Sequence, residues 1–242
     1  MLHKSKVVVL HHIKYKDSSL IVYCYSETFG RISFLVNSAY SKSKTPGKAV
    51  YFQPFSVLDV VFYKKVGADL CRVKEVSISI NSQTIPFDPI KRSVALFLSE
   101  VVYRTVKEEE PNPSFYKFLE NSIHLLDVMS GGVANFHLIF LLQLSRHLGF
   151  YPSNLWSESN KYFDYKNGSF VSAPPQHSFY LDSQTSILIS RVIQTPFYLA
   201  DTLQINHRQR LKIIDGILNY YRFHLGGTLE FNSLSVLTQL FV

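Results

Sequence analysis

The sequence has little sulfur chemistry. Its two cysteines, Cys24 and Cys71, are too few for a disulfide framework and cannot form a Cys-rich zinc site by themselves. Long apolar runs are also missing. The run before His11 is Val7–Leu10, too short for the core of a signal peptide, and Leu138–Leu142 soon meets Gln143, Arg146 and His147, well short of a membrane span. These absences predict a cytoplasmic protein. Catalytic signatures are lacking as well. The histidines at 11, 12, 137, 147, 207 and 224 are scattered, with no His-Glu-x-x-His pair, and there is no Gly-x-Ser-x-Gly elbow. Pro46-Gly47-Lys48-Ala49 lacks both the upstream glycine of a phosphate loop and the Ser/Thr that would follow its lysine. Glu108-Glu109-Glu110 reads as a solvated helix end. Cys71 lies beside Arg72, which leaves a reactive thiol open, but a buried, inert thiol is the simpler reading. No enzyme, cofactor or metal is expected.

What is present suffices for a packed core: 46% of the 242 residues are apolar and 14% aromatic. The net charge of +7 is unevenly placed. Residues 1–80 hold twelve Lys/Arg against five Asp/Glu, a balance of +7, whereas residues 81–242 hold thirteen of each. Such asymmetry points to a polyanion-binding face.

The basic part carries strand patterns over Ser5–Lys14, Leu20–Ser26, Arg31–Asn37, Gln53–Lys65 and Leu70–Ile80, separated by turn-forming clusters. The connection from Ser38 to Ala49 is long and polar. Five short strands in this length predict a small closed barrel of the oligonucleotide-binding (OB) class, with an SH3-like barrel as the alternative. The basic residues flank these strands: Lys4, Lys6, Lys14, Lys16, Arg31, Lys42, Lys44, Lys48, Lys64, Lys65, Arg72 and Lys74. They are the expected phosphate contacts. Tyr15, Phe29, Tyr40 and Tyr51 lie among them and are able to stack on bases, although core or rim packing is the commoner role of such aromatics.

Past Pro86–Pro89 the period changes to that of helices. Val94, Phe97, Leu98, Val101, Val102 and Thr105 mark one helix, ended by Glu108–Pro111. Asn112-Pro113 starts a second, with Phe115, Phe118, Leu119, Ile123 and Leu126 on one face. Ala134–Leu148 is apolar nearly all round and predicts a central buried helix. Tyr151 to Tyr180 reads as irregular, with a hairpin turn at Asn167-Gly168. Helical pattern returns from Leu211 to Leu225, and Ser233 caps a last short helix. The expected fold class is α+β, with an OB barrel over 1–80 and a mostly helical domain over 81–242 that holds a small hairpin insertion near 151–180.

Across nearly the whole chain the order of segments resembles the RecO family of bacterial recombination mediators. The resemblance rests on Val9-Leu10, Tyr15–Ser19, Thr28-Phe29-Gly30, Ala39 with Lys42 and Lys44, and Gln53-Pro54-Phe55. It continues in Leu148-Gly149-Phe150-Tyr151-Pro152, Tyr220-Tyr221, His224-Leu225 and Ser233-Leu234. The local wording is similar to the Bacteroidetes branch. The resemblance implies a protein that binds single- and double-stranded DNA and anneals complementary strands. It further implies RecR and the acidic tail of single-stranded-DNA-binding protein as partners, in loading RecA. Many members of the family carry zinc-binding cysteines after the Leu-Gly-x-x-Pro turn. Here Ser153–Asn160 has none, and Asp164 and His177 alone do not complete a site. Packing around Trp156, Tyr162, Phe163 and Phe170 is expected in place of zinc. If the helical part docks an acidic tail, Arg92, Arg104 or Lys107 would meet its carboxylates. A pure adaptor and an RNA-binding barrel are the other readings.

Overall fold

The computed structural model describes residues 1–40, 47–65 and 67–240. The chain falls into two compact units, Met1–Val128 and Met129–Val242. Among the described residues, no helix is long and apolar enough to cross a membrane.

The first unit opens with five strands: β1 (Leu2–Tyr15), β2 (Ser19–Ser26), β3 (Gly30–Val36), β4 (Val57–Tyr63) and β5 (Leu70–Ile80). They close in the order β1-β2-β3-β5-β4, with β3 parallel to β5 and the other described pairings antiparallel. This is the OB arrangement, and it removes every free sheet edge. The strand period of two sends Val7, Val9, Leu20, Val22, Cys24, Ile32, Phe34, Val36, Leu58, Val60 and Phe62 to the interior. β1 bridges two partners, pairing with β4 through its first half and with β2 through its second. Its register shifts between Val9 and His11, a bulge that lets one long strand turn the barrel corner.

β4 starts later than its apolar pattern suggests. Gln53–Ser56 forms a turn with Phe55 at φ +61°, held by bonds from Phe55 N–H to the Val9 carbonyl and from Ser56 N–H to the Gln53 carbonyl. The connection ahead of it also contains a 3-10 turn, Lys48–Tyr51. Two helices complete the unit: α1 (Pro89–Thr105) and α2 (Pro113–Val128). Asp88 caps α1 by accepting from the N–H groups of Ile90 and Lys91, and Asn112 caps α2 by accepting from Phe115 N–H. α1 stops at Thr105, ahead of the Glu108–Pro111 breaker expected to end it. Its terminal carbonyls are taken by a side chain of the barrel, described below.

The second unit is built on α3 (Val133–His147), whose Phe136, Leu138, Ile139, Phe140, Leu141, Leu142 and Leu144 are all buried, as its all-round apolar pattern predicts. A small sheet follows, in the order β7-β6-β8: β6 (Tyr162–Asp164), β7 (Ser169–Val171) and β8 (Tyr180–Leu181). Gly168 sits in its turn at φ +57°, and a Cβ there would press on the Tyr220 hydroxyl. Then come α4 (Ser183–Gln194), a 3-10 segment (Phe197–Thr202), α5 (His207–Leu225) and α6 (Leu234–Leu240). α4 and β8 have no counterpart in the pattern reading.

Candidate nucleic-acid interface

The outer surface of the barrel is unevenly covered. Val8 and Leu10 point away from the barrel core yet are buried, because α1 and α2 pack along β1. On β2, Tyr25 is buried with its ring edge-on to Phe115 at 4.8 Å, and its hydroxyl accepts from the Asn112 N–H at 3.2 Å. Tyr23 lies 5.0 Å from the Tyr103 ring of α1, and His11 stacks on the same ring at 4.7 Å. Burial, with the neighbouring His12 charge adding to it, lowers the His11 pKa, so this ring is neutral at pH 7.

Arg31, one of the expected phosphate contacts, belongs to this covered side. Its guanidinium donates to the carbonyls of Tyr103, at 2.7 Å, and Val106, and lies over the Tyr103 ring at 4.8 Å. These are the unsatisfied carbonyls at the end of α1. Just past them, Val106–Asn112 crosses the β2–β3 turn. Gly30, at φ +62°, leaves room for it: a Cβ there would overlap the carbonyl oxygens of Glu109 and Glu110. The side chains of Glu108, Glu109 and Glu110 are exposed. Lys6 also faces carboxylate, lying 4.0 Å from Glu120 of α2.

β5 is different. Cys71 and Val73 point inward, while Leu70, Arg72 and Lys74 are exposed, and Tyr63, paired with Arg72 across β4–β5, is 46% exposed. With the Asn37 amide oriented to present its oxygen, Arg72 donates two 2.9 Å bonds to it, which fixes the guanidinium plane. Lys48 donates to the Lys74 carbonyl at 3.4 Å, which places the 3-10 turn beside β5. Lys74 pairs with the exposed Glu75 at 3.2 Å, and this bond raises its pKa, so it is fully charged at pH 7.

A second basic-aromatic group sits at the β1–β2 turn: Lys14, Tyr15 and Lys16 are exposed, with the Lys16 ammonium 5.4 Å from the Tyr15 ring centre. Tyr40, 42% exposed, joins it through a bond from its N–H to the Ser18 carbonyl. Ala49 N–H bonds the Ala39 carbonyl, so the segment touching β5 adjoins the segment touching the β1–β2 turn. Lys14, Lys16, Lys48, Arg72 and Lys74, with Tyr15, Tyr40 and Tyr63, thus form one belt of alternating cations and aromatic rings. Tyr63 directly precedes Lys64-Lys65, but its place beside Arg72 follows only from the β4–β5 register.

The other expected contacts are dispersed. Lys64 lies over the Phe29 ring at 5.1 Å, Lys65 is exposed in the β4–β5 connection, and Lys4 is exposed on β1. Lys42 and Lys44 lie outside the described residues. Of the expected partner contacts, Arg92 and Lys107 are exposed, and Arg104 binds Glu100 at 3.0 Å. Cys71 is buried and burial raises its pKa; Cys24 is fully buried and shifted the same way. Neither is poised as a thiolate.

In the second unit, buried Asp164 accepts from Lys166 N–H and the Asn167 amide, and His177 Nε2 lies 3.5 Å from it. Phe163 and Phe170 pack at 5.1 Å in the adjoining hairpin. Among the described residues, no group of three or more His, Cys, Asp or Glu could hold a metal ion. One carboxylate and one imidazole do not make a four-ligand zinc site.

Comparison with known proteins agrees with this architecture. The family model for the N-terminal part of recombination protein O matches residues 1–81, and that for its C-terminal part matches residues 86–233. The chain is 38% identical over 242 residues to the DNA repair protein RecO of Bacteroides fragilis, covering all of both chains. It is 33% identical over 241 residues to that of Azobacteroides pseudotrichonymphae, again over all of both, and 35% identical over 239 residues, 98% of each, to that of Flavobacterium psychrophilum. A closed OB barrel matched by the N-terminal family model, followed by a helical region matched by the C-terminal one, places this chain in the RecO family of DNA repair proteins.

Proposed function

We propose that this protein is a non-enzymatic mediator of recombinational repair. It binds single- and double-stranded DNA through the barrel, anneals complementary strands and, with RecR, helps load RecA onto DNA coated by single-stranded-DNA-binding protein. The observation that carries the reading is the belt of lysines, arginine and tyrosines on a closed barrel. Cations at loops and strand faces neutralise phosphates without reading sequence, and exposed rings stack on any base. Annealing asks for nothing more than lowered repulsion between two polyanions. In this division residues 1–80 hold the DNA and residues 81–242 carry the partner surfaces, with Arg92, Arg104 and Lys107 offered to the acidic tail of the single-strand-binding protein. The protein works at the nucleoid in the cytoplasm.

A fluorescence titration of the full chain against a labelled single strand, with unlabelled DNA and RNA of the same sequence as competitors, tests this. Saturable binding that DNA displaces at least as well as RNA is the expected result. Absence of binding would leave an adaptor, and preferential displacement by RNA would make this an RNA-binding barrel.

A further inference from the structure

In five-stranded barrels of this class, oligonucleotides commonly lie on the face of strands two and three, flanked by the β1–β2 and β4–β5 connections. In this chain that face is not open. The outward side chains of β3, Arg31, Ser33 and Leu35, are only partly exposed, and those of β2 are at most partly exposed, with Tyr25 fully covered. α1 supplies Tyr103 as a lid over His11, Tyr23 and Arg31. The Val106–Asn112 segment is fastened over the β2–β3 turn at three points: the Arg31 bonds to the end of α1, the Gly30 backbone contact and the Tyr25–Asn112 bond. It displays three carboxylates there. A phosphate chain approaching this side meets Glu108–Glu110, and finds the Arg31 guanidinium already engaged by the carbonyls at the end of α1.

We infer that the DNA strand instead crosses the neighbouring side of the barrel, over β5 and the end of β4, and reaches the β1–β2 turn by way of the Gly47–Tyr51 segment. This rests on the DNA-binding reading above and assigns its path. β5 is the strand whose outward side chains are open to solvent, and its first half offers two cations two residues apart on one face, with the Tyr63 ring beside them. Two residues of strand span about 6.6 Å, close to the spacing of neighbouring phosphates in an extended single strand. The acidic segment acts as the boundary of the site. A run of three carboxylates on the covered face, against the cations Arg72 and Lys74 on the open one, biases the side on which a polyanion lands.

The test compares two double variants of equal charge in the full chain. Arg72→Glu with Lys74→Glu alters the proposed path. Lys117→Glu with Lys166→Glu changes the net charge by the same amount at exposed lysines that are not part of the belt, one on α2 and one in the second unit. Affinity for a labelled single strand is measured across a salt series, with circular dichroism as the check of folding. The first pair should weaken binding at least tenfold and make the salt slope shallower by about 1.5, the share of two phosphate contacts. The second should stay within threefold of the parent, with its slope unchanged. If the glutamates at 72 and 74 impair folding, Arg72→Gln with Lys74→Gln should give the same change of slope. Equal losses from both pairs, or no loss from the first, would overturn the assigned path. A parent protein that fails to bind DNA at all would instead overturn the DNA-binding reading.

Discussion

At the scale of single residues, Asp127 shows how one side chain fixes a connection. Its carboxylate accepts from the N–H groups of Gln83, Thr84 and Ile85 at 2.8–2.9 Å and from the Thr84 hydroxyl. Lys91, itself 5% exposed, completes the knot by donating to the Thr84 hydroxyl and the Asp127 carbonyl. The segment leaving β5 is thereby tied to both α1 and α2. Burial pushes the Asp127 pKa up, but the donors outweigh it and hold it below the ordinary value. The contribution to stability is therefore complete above the unfolded-state pKa, about 3.9 for an aspartate, and is lost as pH falls through the lower folded value. Asp127→Ala orphans three backbone donors and should cost about 2–4 kcal/mol at pH 7 by urea denaturation. The difference from the parent should begin to shrink only below about pH 4. A gap that closed already at pH 6 would mean that another group holds the connection.

At the scale of elements, the end of α1 and the strap that follows it are positioned by β3. Arg31 is the joint, and its two carbonyl partners and its stacking on Tyr103 use the charge internally. Arg31→Met should lower stability by about 1–3 kcal/mol, since bonds to a charged donor are lost and carbonyls are left unpaired. It should leave the salt slope of DNA binding unchanged; a shallower slope would return Arg31 to the phosphate contacts. This is also where sequence reading meets its limit. Barrel strands, the central helix α3 and the hairpin at Asn167-Gly168 were legible because period and turn chemistry are local. That Arg31 serves a helix more than seventy residues away is not, because a cation flanking a strand reads the same whether it meets phosphate or carbonyl. α4 is hidden for a different reason. Its start, Ser183–Ser186, reads as loop, and Ile187, Ile189, Val192 and Ile193 lower helix propensity. The Asp182 cap on Thr185 N–H and the burial of Leu188, Ile189 and Val192 override both. Likewise, β4 looks longer in sequence than it is, because nothing local marks Phe55 as left-handed, and its turn delays the strand to Val57.

At the scale of the whole molecule, the asymmetry of charge along the chain becomes an asymmetry around the barrel. The +7 of residues 1–80 does not coat the barrel evenly. Lys6 and Arg31 are drawn to the side of the helices, whereas Lys14, Lys16, Lys48, Arg72 and Lys74 line the belt from β5 to the β1–β2 turn. The central claim is that this belt binds DNA by neutralising phosphates. The most direct test is the affinity of the full chain for a labelled single strand between about 50 and 200 mM salt, the range in which counterion release is read. With about six phosphates contacted, log affinity should fall against log salt with a slope of roughly −4 to −5. A flat response would contradict the account.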